Sequence, residues 1–62
     1  MILGSAIRAW RKEQRLGLRP VAKEIGILHT TLGRFETGED VDGRSLAKIL
    51  IWALGNSALE IG

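Results

Sequence analysis

The chain contains no cysteine and a single histidine. Without cysteine, neither a disulfide framework nor a thiolate metal site can brace the fold, and one histidine cannot make a metal site by itself. The longest apolar stretch, Ile49 to Leu54, is far shorter than the roughly 18 residues of a membrane-spanning helix. No basic segment precedes the apolar residues at the N-terminus, as a secretory signal would require. We therefore expect an intracellular, cytoplasmic protein with no metal, cofactor or membrane partner.

The length of 62 residues allows one domain, spanning residues 1–62. A chain of this size buries only about 60% of the surface that its unfolded form exposes, so we expect little excess stability. Catalysis is not expected, because the single histidine has no cysteine and no evident serine or carboxylate partner arranged for it. The chain is therefore expected not to be an enzyme.

Charge is distributed unevenly along the chain. Residues 1–38 contain seven lysines and arginines against three glutamates, a net charge of +4. Residues 39–62 contain two basic residues against four acidic ones, a net charge of −2. A basic front half joined to an acidic back half favours a polyanionic partner that binds one side of the molecule.

The spacing of apolar residues predicts an all-α protein. In the first helix, Leu3, Ile7 and Trp10 fall on one face, and Gly4 or Ser5 is expected to cap its start. The four predicted helices run from about Ser5 to Gln14, from Leu18 or Pro20 to Ile25, from about His29 to Thr37, and from Asp42, Gly43 or Ser45 to Leu54. Residues 56–62 could add one further turn or fray.

The stretch KEIGILHTTLGRFETG, from Lys23 to Gly38, breaks a helical pattern and restarts it within two or three residues. Gly26 can end the second helix because glycine takes a positive φ at no steric cost, and Ile27 follows as a buried plug. The third helix, about residues 28–37, then exposes short polar side chains. Two helices joined by a tight glycine-containing turn are typical of the helix-turn-helix. The second helix of that motif, which is the third helix of this chain, fits the major groove of DNA, which is about 12 Å wide.

These residues resemble the phage-repressor and Cro-like helix-turn-helix domains, also called the xenobiotic-response-element (XRE) family. VAKEIGI is similar to the LAEKIGV core of that family's second helix and turn, and TLGRFETG is similar to its TISRIERG third-helix ending. LGSAIRAWRKEQRLG and SLAKILIWALG look like its first and fourth helices. The resemblance implies a four- to five-helix, lambda-repressor-like bundle that binds DNA and frequently dimerises.

The chain departs from the family pattern at three places. Leu28 replaces the Ser or Thr that usually caps the third helix, a loss of about 1 kcal/mol, so Thr30 or Thr31 is expected to cap instead. Leu18 replaces a polar residue that touches the phosphate backbone in relatives. The loop after Gly38 is acidic where relatives often carry basic or amide residues.

The resemblance and the helix-turn-helix pattern together assign roles to polar side chains. The residues expected to read base edges are His29, Thr30, Gly33 and Arg34. The residues expected to contact phosphates are Arg19, Lys23, Thr31 and Thr37. The family's ion pair between the first and third helices falls on Arg11 and Glu36. Arg can bond twice to guanine, His can donate to guanine, and Thr can bond to a base or pack on a thymine methyl group. The alternative is an ordinary polar helix face, in which Gly33 is a tolerated weak spot and Thr31 a cap or spacer.

The apolar composition of the fourth helix predicts a protein–protein interface. From Leu46 to Leu54 only Lys48 is polar, so this helix is apolar almost all round, and an exposed apolar patch usually marks an interface. The residues expected to face the small core are Leu46, Ile49 and Leu50. The residues expected on a homodimer interface are Ile51 and Trp52, shared with Leu59 and Ile61 of the tail. The alternative is that Trp52 fills a gap in the core.

The sequence thus favours a sequence-specific DNA-binding transcriptional regulator of the phage- or plasmid-repressor type, in a bacterial cell or a phage-infected host. Its third helix would enter the major groove of an operator while phosphate contacts hold the register. Its partners would be double-stranded DNA and a second copy of itself. The alternative is a protein-interaction module, an antitoxin-like or anti-repressor partner that uses the apolar fourth helix. The acidic loop, Leu18 and Leu28 favour this alternative.

Overall fold

A computed structural model describes residues 2–55 of the protein. Over this range the chain forms four α-helices and no strand: α1 (Ile2–Glu13), α2 (Leu18–Ile25), α3 (His29–Glu36) and α4 (Gly43–Leu54). The predicted all-α bundle is confirmed for this part of the chain. None of these helices combines the length and hydropathy needed to cross a membrane. Leu59, Ile61 and any further turn in the tail lie outside the described residues.

One hydrophobic core receives side chains from all four helices. Its buried members are Ile7 of α1, Val21, Ala22 and Ile25 of α2, Leu32 and Phe35 of α3, and Ile49 of α4. The α2 helix packs against α3 and α4, and α1 packs against α3. Because α3 packs against both α1 and α2, two neighbouring helices hold its inner face.

The first helix begins earlier than predicted, at Ile2 rather than Ser5, so Gly4 lies inside the helix and does not cap it. Gly4 is buried, and a Cβ at this position would collide with the carbonyl oxygen of Phe35 and lie 3.3 Å from the Cα of Glu36. Glycine therefore lets α1 cross the end of α3 in direct backbone contact. The apolar spacing of α1 does not reveal this contact, because it is made by a residue that has no side chain.

Three helices end on a residue with a left-handed backbone. These residues are Arg15 (φ 59°) after α1, Gly26 (φ 94°) after α2 and Gly38 (φ 89°) after α3. In each case the following amide donates to a carbonyl five residues earlier, at 2.9 or 3.0 Å, which is the Schellman motif. Glycine adopts this conformation freely, whereas the Cβ of Arg15 makes it less favourable by about 1–2 kcal/mol.

The starts of α2 and α4 fit two of the predicted alternatives. The α2 helix begins at Leu18, so Pro20 lies in its first turn and does not start it. Asp42 caps α4, because its carboxylate accepts hydrogen bonds from the backbone N–H of Ser45 at 3.1 Å and from its hydroxyl at 2.6 Å. These bonds hold the pKa of Asp42 below its ordinary value. Gly55 follows α4 directly, as predicted.

Candidate functional site

The connection between α2 and α3 is a tight turn at Gly26. The φ angle of Gly26 is 94°, and its N–H donates to the carbonyl of Ala22 in α2 at 2.8 Å. Ile27, which was expected to be a buried plug, packs against the core but is only partly buried. Leu28 precedes α3 in an extended conformation and makes no side-chain capping bond. Thr30 and Thr31 lie inside α3 and do not replace that cap. The turn and the plug together fix how α3 follows α2.

The α3 helix has a buried face and an open face. The buried residues are Leu32, Phe35 and Glu36. Two predicted base-reading residues, Thr30 and Arg34, are exposed, while His29 and Thr31 are half-buried. Thr30 and Arg34 are four residues apart, so they project from the same side of the helix. The open face therefore presents a hydroxyl and a guanidinium side by side.

Gly33 lies on the side of α3 that faces the start of α2. A Cβ at this position would stand 3.5 Å from the Cδ1 atom of Leu18, an ordinary van der Waals distance. An alanine would therefore fit within the described chain without strain. Packing within the protein therefore does not require glycine at position 33, and the structure does not decide between the two interpretations of Gly33, a base contact and a tolerated weak spot.

A shallow open groove lies where α2 and α3 meet. The residues that line this α2–α3 groove are Arg19, Ala22, Lys23, Ile27, Leu28 and His29. Arg19 and Lys23 are exposed on α2, and their positive charges suit the groove to an anion. The structure thus brings two predicted phosphate contacts together with one predicted base contact, His29.

Thr37 is placed differently from the other predicted phosphate contacts. Its hydroxyl lies 3.0 Å from the carbonyl oxygen of Arg34 and 3.2 Å from a carboxylate oxygen of Glu39. Thr37 therefore closes the C-terminal end of α3, where the helix dipole is negative. The dipole and the carboxylate both repel a phosphate. The structure argues against the phosphate contact predicted for Thr37.

Arg11 and Glu36 form the ion pair expected between α1 and α3. Arg11 Nε and Nη2 donate to the two oxygens of Glu36 at 2.9 and 2.8 Å, the paired geometry that makes such contacts strong and directional. The side chain of Glu36 is 2% exposed and that of Arg11 is 12% exposed. The hydrogen bond to Glu36 raises the pKa of the Arg11 guanidinium. Arg11 Nη1 also donates to the carbonyl of Leu16 at 3.0 Å, so Arg11 ties α1, the turn after it and α3 together.

The structure corrects the expectation that Trp52 faces outward from α4. The ring of Trp52 packs edge-on against that of Trp10, with 5.3 Å between the ring centroids, and its indole N–H donates to Glu24 at 2.6 Å. Trp52 thus fills a gap at the edge of the core, which is the alternative interpretation. The reason is helical register, because position 52 lies three residues after the buried Ile49. Leu50, expected in the core, is 41% exposed instead.

A continuous apolar stripe remains on the outer side of α4. This surface, here called the α4 stripe, consists of Ala47, Leu50, Ile51 and Leu54. Leu50, Ile51 and Leu54 are 41%, 72% and 86% exposed, and the spacing of three, one and three residues puts all four on one face. Of the residues predicted for an interface, the structure therefore places Ile51 on the exposed surface.

Lys48 and Glu24 have structural roles that the sequence did not reveal. Lys48 Nζ donates to the carbonyl of Gly26 at 3.1 Å, and Glu24 accepts the indole N–H described above. Both contacts join α4 to the end of α2 and so support the turn before α3. The one available signal was that Lys48 is the sole polar residue in the stretch 46–54.

Comparison of the chain with protein-family models, with curated proteins and with solved structures gave no significant match. Among residues 2–55, no group of three or more histidine, aspartate or glutamate side chains is arranged to hold a metal ion.

Proposed function

We propose that this protein is a sequence-specific DNA-binding transcriptional regulator of the phage- or plasmid-repressor type, in which α2 and α3 act as a helix-turn-helix. The observation that carries the proposal is the α2–α3 unit itself. It combines a left-handed glycine turn, a third helix buried on one face, and an open face of hydrogen-bonding side chains beside two cations. The protein would act by occupying an operator, with α3 in the major groove.

The base contacts are proposed for the open face of α3. Arg34 would form two hydrogen bonds with guanine O6 and N7, and Thr30 would bond to a neighbouring base or pack on a thymine methyl group. His29, at the start of α3, would donate to a guanine acceptor. Helix-turn-helix proteins contact base edges chiefly with the N-terminal residues of this helix, which fits the exposure of Thr30.

The phosphate contacts are proposed for α2. Arg19 and Lys23 are four residues apart on its exposed face, so they can hold one strand of the duplex together. Thr31 is a further candidate at the half-buried edge of α3. The acidic residues of the loop that begins at Glu39 follow the opposite end of α3. The attraction for DNA is therefore strongest at the N-terminal half of α3. Contacts with phosphates set the register of the protein on the duplex and carry no sequence information.

A salt titration of binding to random duplex DNA tests this function. If about four to six phosphates are neutralised per pair of domains, the log–log slope of affinity against salt should lie near −4 to −5. Lys23→Ala removes one phosphate contact from each domain of the pair and should therefore make the slope shallower by about two. Arg44→Ala, beside the acidic loop, is the matched control and should leave it unchanged. Absence of binding at low salt would refute the DNA-binding function.

Pairing of two copies through the α4 stripe is part of the proposal. The eight-residue α3 helix is only about 12 Å long, so one copy reaches few base pairs. Repressors of this kind place two such helices about 34–36 Å apart on successive turns of the duplex. A two-fold axis across the α4 stripe would bury Leu50, Ile51 and Leu54 against their own copies.

Ile51→Glu tests the pairing. Since Ile51 is 72% exposed, the variant should fold normally, remain monomeric and bind an operator more weakly. Ala9→Glu places the same charge on the exposed surface of α1 and should leave the assembly intact. Sedimentation equilibrium measures both. Equal masses for Ile51→Glu and the parent protein at high concentration would rule out this interface.

A protein-interaction module of the antitoxin or anti-repressor type is the second candidate function. The α4 stripe favours it, because the same exposed apolar face could bind a different protein. The salt titration separates the two candidate functions, because a protein-interaction module is not expected to bind random duplex DNA.

A further inference from the structure

We infer that Leu28 contacts the 5-methyl group of a thymine in the major groove and thereby gives the operator a thymine at a defined position. This inference rests on the proposed DNA-binding function. It adds a specificity-determining residue that the sequence pattern did not mark as a base contact.

The side chain of Leu28 contributes little to the fold, although its backbone carbonyl accepts a hydrogen bond from the N–H of Leu32. The Leu28 side chain is 70% exposed, although leucine is stabilised by burial. It occupies the position before α3 where a serine, threonine, aspartate or asparagine side chain would cap the helix, and it makes no capping bond. Leu28 therefore neither packs nor caps.

The surroundings of Leu28 indicate what would cover it. It lines the α2–α3 groove together with Arg19, Lys23 and His29, so the partner that charge complementarity brings to this groove is a polyanion. An apolar side chain gains nothing against a hydrated phosphate, so within duplex DNA it should meet an apolar group. The prominent apolar group that the bases present in the major groove is the thymine methyl. Leu28 stands at the start of α3, the end from which base edges are usually read.

The expected effect can be measured as a ratio of affinities. Burial of one methyl group changes an equilibrium constant about fourfold. Uracil differs from thymine only by the absence of this methyl group, so uracil in place of the contacted thymine should weaken binding of the parent protein by about that factor. Elsewhere in the site, the same replacement should have no effect unless another side chain contacts a methyl group there.

The experiment begins with selection from a random duplex DNA pool. The enriched duplex is then synthesised with uracil replacing each thymine in turn, and dissociation constants are measured for the parent and two variants. Leu28→Ser removes the apolar side chain and supplies a capping hydroxyl, so it should fold and should lose the fourfold preference at one position. Thr30→Ser removes the neighbouring methyl group of the protein and should keep that preference.

The possible outcomes test the proposed function and the role of Leu28 separately. A pool that yields no enriched sequence and no binding refutes the proposed function, and the role of Leu28 with it. Enrichment with equal affinity for thymine and uracil at every position overturns the role of Leu28 alone. The role of Leu28 is also overturned if every uracil effect of the parent protein persists in Leu28→Ser, or if the effect that is lost in Leu28→Ser is lost at the same position in Thr30→Ser. In those cases DNA binding still stands.

Discussion

Replacing Glu36 by alanine should destabilise the protein by about 2–4 kcal/mol. The change leaves the Arg11 side chain, which is 12% exposed, without its carboxylate partner. Breaking a buried ion pair on one side typically costs about 3–5 kcal/mol. The value expected here is somewhat lower, because Arg11 keeps its bond to the Leu16 carbonyl. A domain of this size rarely has more than about 3–5 kcal/mol of total stability, so the variant should be substantially unfolded or close to it.

A double-mutant cycle isolates the pair. Arg11→Met and Glu36→Leu should each destabilise alone, whereas the double variant should recover most of the loss, because well-packed apolar residues often replace a buried pair at little cost. Glu13→Ala removes an exposed glutamate from the end of α1. It is the matched control and should change stability by no more than about 0.5 kcal/mol.

Urea unfolding followed by far-ultraviolet circular dichroism measures these differences. Tryptophan fluorescence gives a second signal, because Trp10 and Trp52 contact each other in the folded state. A loss below about 1 kcal/mol for Glu36→Ala, with no coupling to Arg11, is typical of solvent-exposed ion pairs. That result would refute the reasoning that this pair holds α1 against α3.

Three further changes test other parts of the structure. Gly4→Ala should destabilise the protein by about 1–3 kcal/mol, because the added Cβ collides with the backbone of α3. Gly43→Ala is the control, and it should stabilise the protein by up to about 1 kcal/mol, because nothing lies within 4 Å of its Cβ. Equal effects of the two changes in thermal unfolding would contradict the close crossing of α1 and α3. The lowered pKa of Asp42 means that its contribution to stability is complete above its ordinary value of 3.8 and is lost as the pH falls through the lower folded-state value. Asp42→Asn keeps a good cap and should flatten the change in Tm below about pH 4. An unchanged profile would exclude this titration. Arg34→Ala should weaken binding to a selected operator by about 1–3 kcal/mol and relax preference at one base pair, and a repeated selection that returns the same site would show that Arg34 does not read a base.

Local chemistry was sufficient to predict most helix ends. Gly26 and Gly38 end helices because glycine takes the left-handed backbone without steric cost, and Asp42 begins α4 because its carboxylate accepts bonds from the first turn. Arg15 takes the same backbone conformation without being glycine, so composition did not mark it. The start of α1 was also missed, since Gly4 resembles a boundary in sequence and lies inside the helix in the structure.

Periodicity predicted which helices are amphipathic but did not determine which face of α4 is covered. A helix that is apolar on most sides fits a core in more than one register, so its sequence does not say whether Trp52 or Leu50 is inside. The tertiary structure decides this, because Trp10 and Glu24 come from α1 and α2 to meet Trp52. The exposed stripe on α4 is therefore a result of packing between helices.

The sequence by itself determined the helical class, the turn at Gly26 and the polar side chains of α3, because each depends on residues that are neighbours along the chain. It also indicated the pairing of Arg11 with Glu36, through resemblance to a family. The tertiary structure alone decided that Leu28 remains exposed in a basic groove and that Gly4 admits the backbone of α3. Each of these depends on distances between atoms of separate segments, which propensity and spacing do not encode.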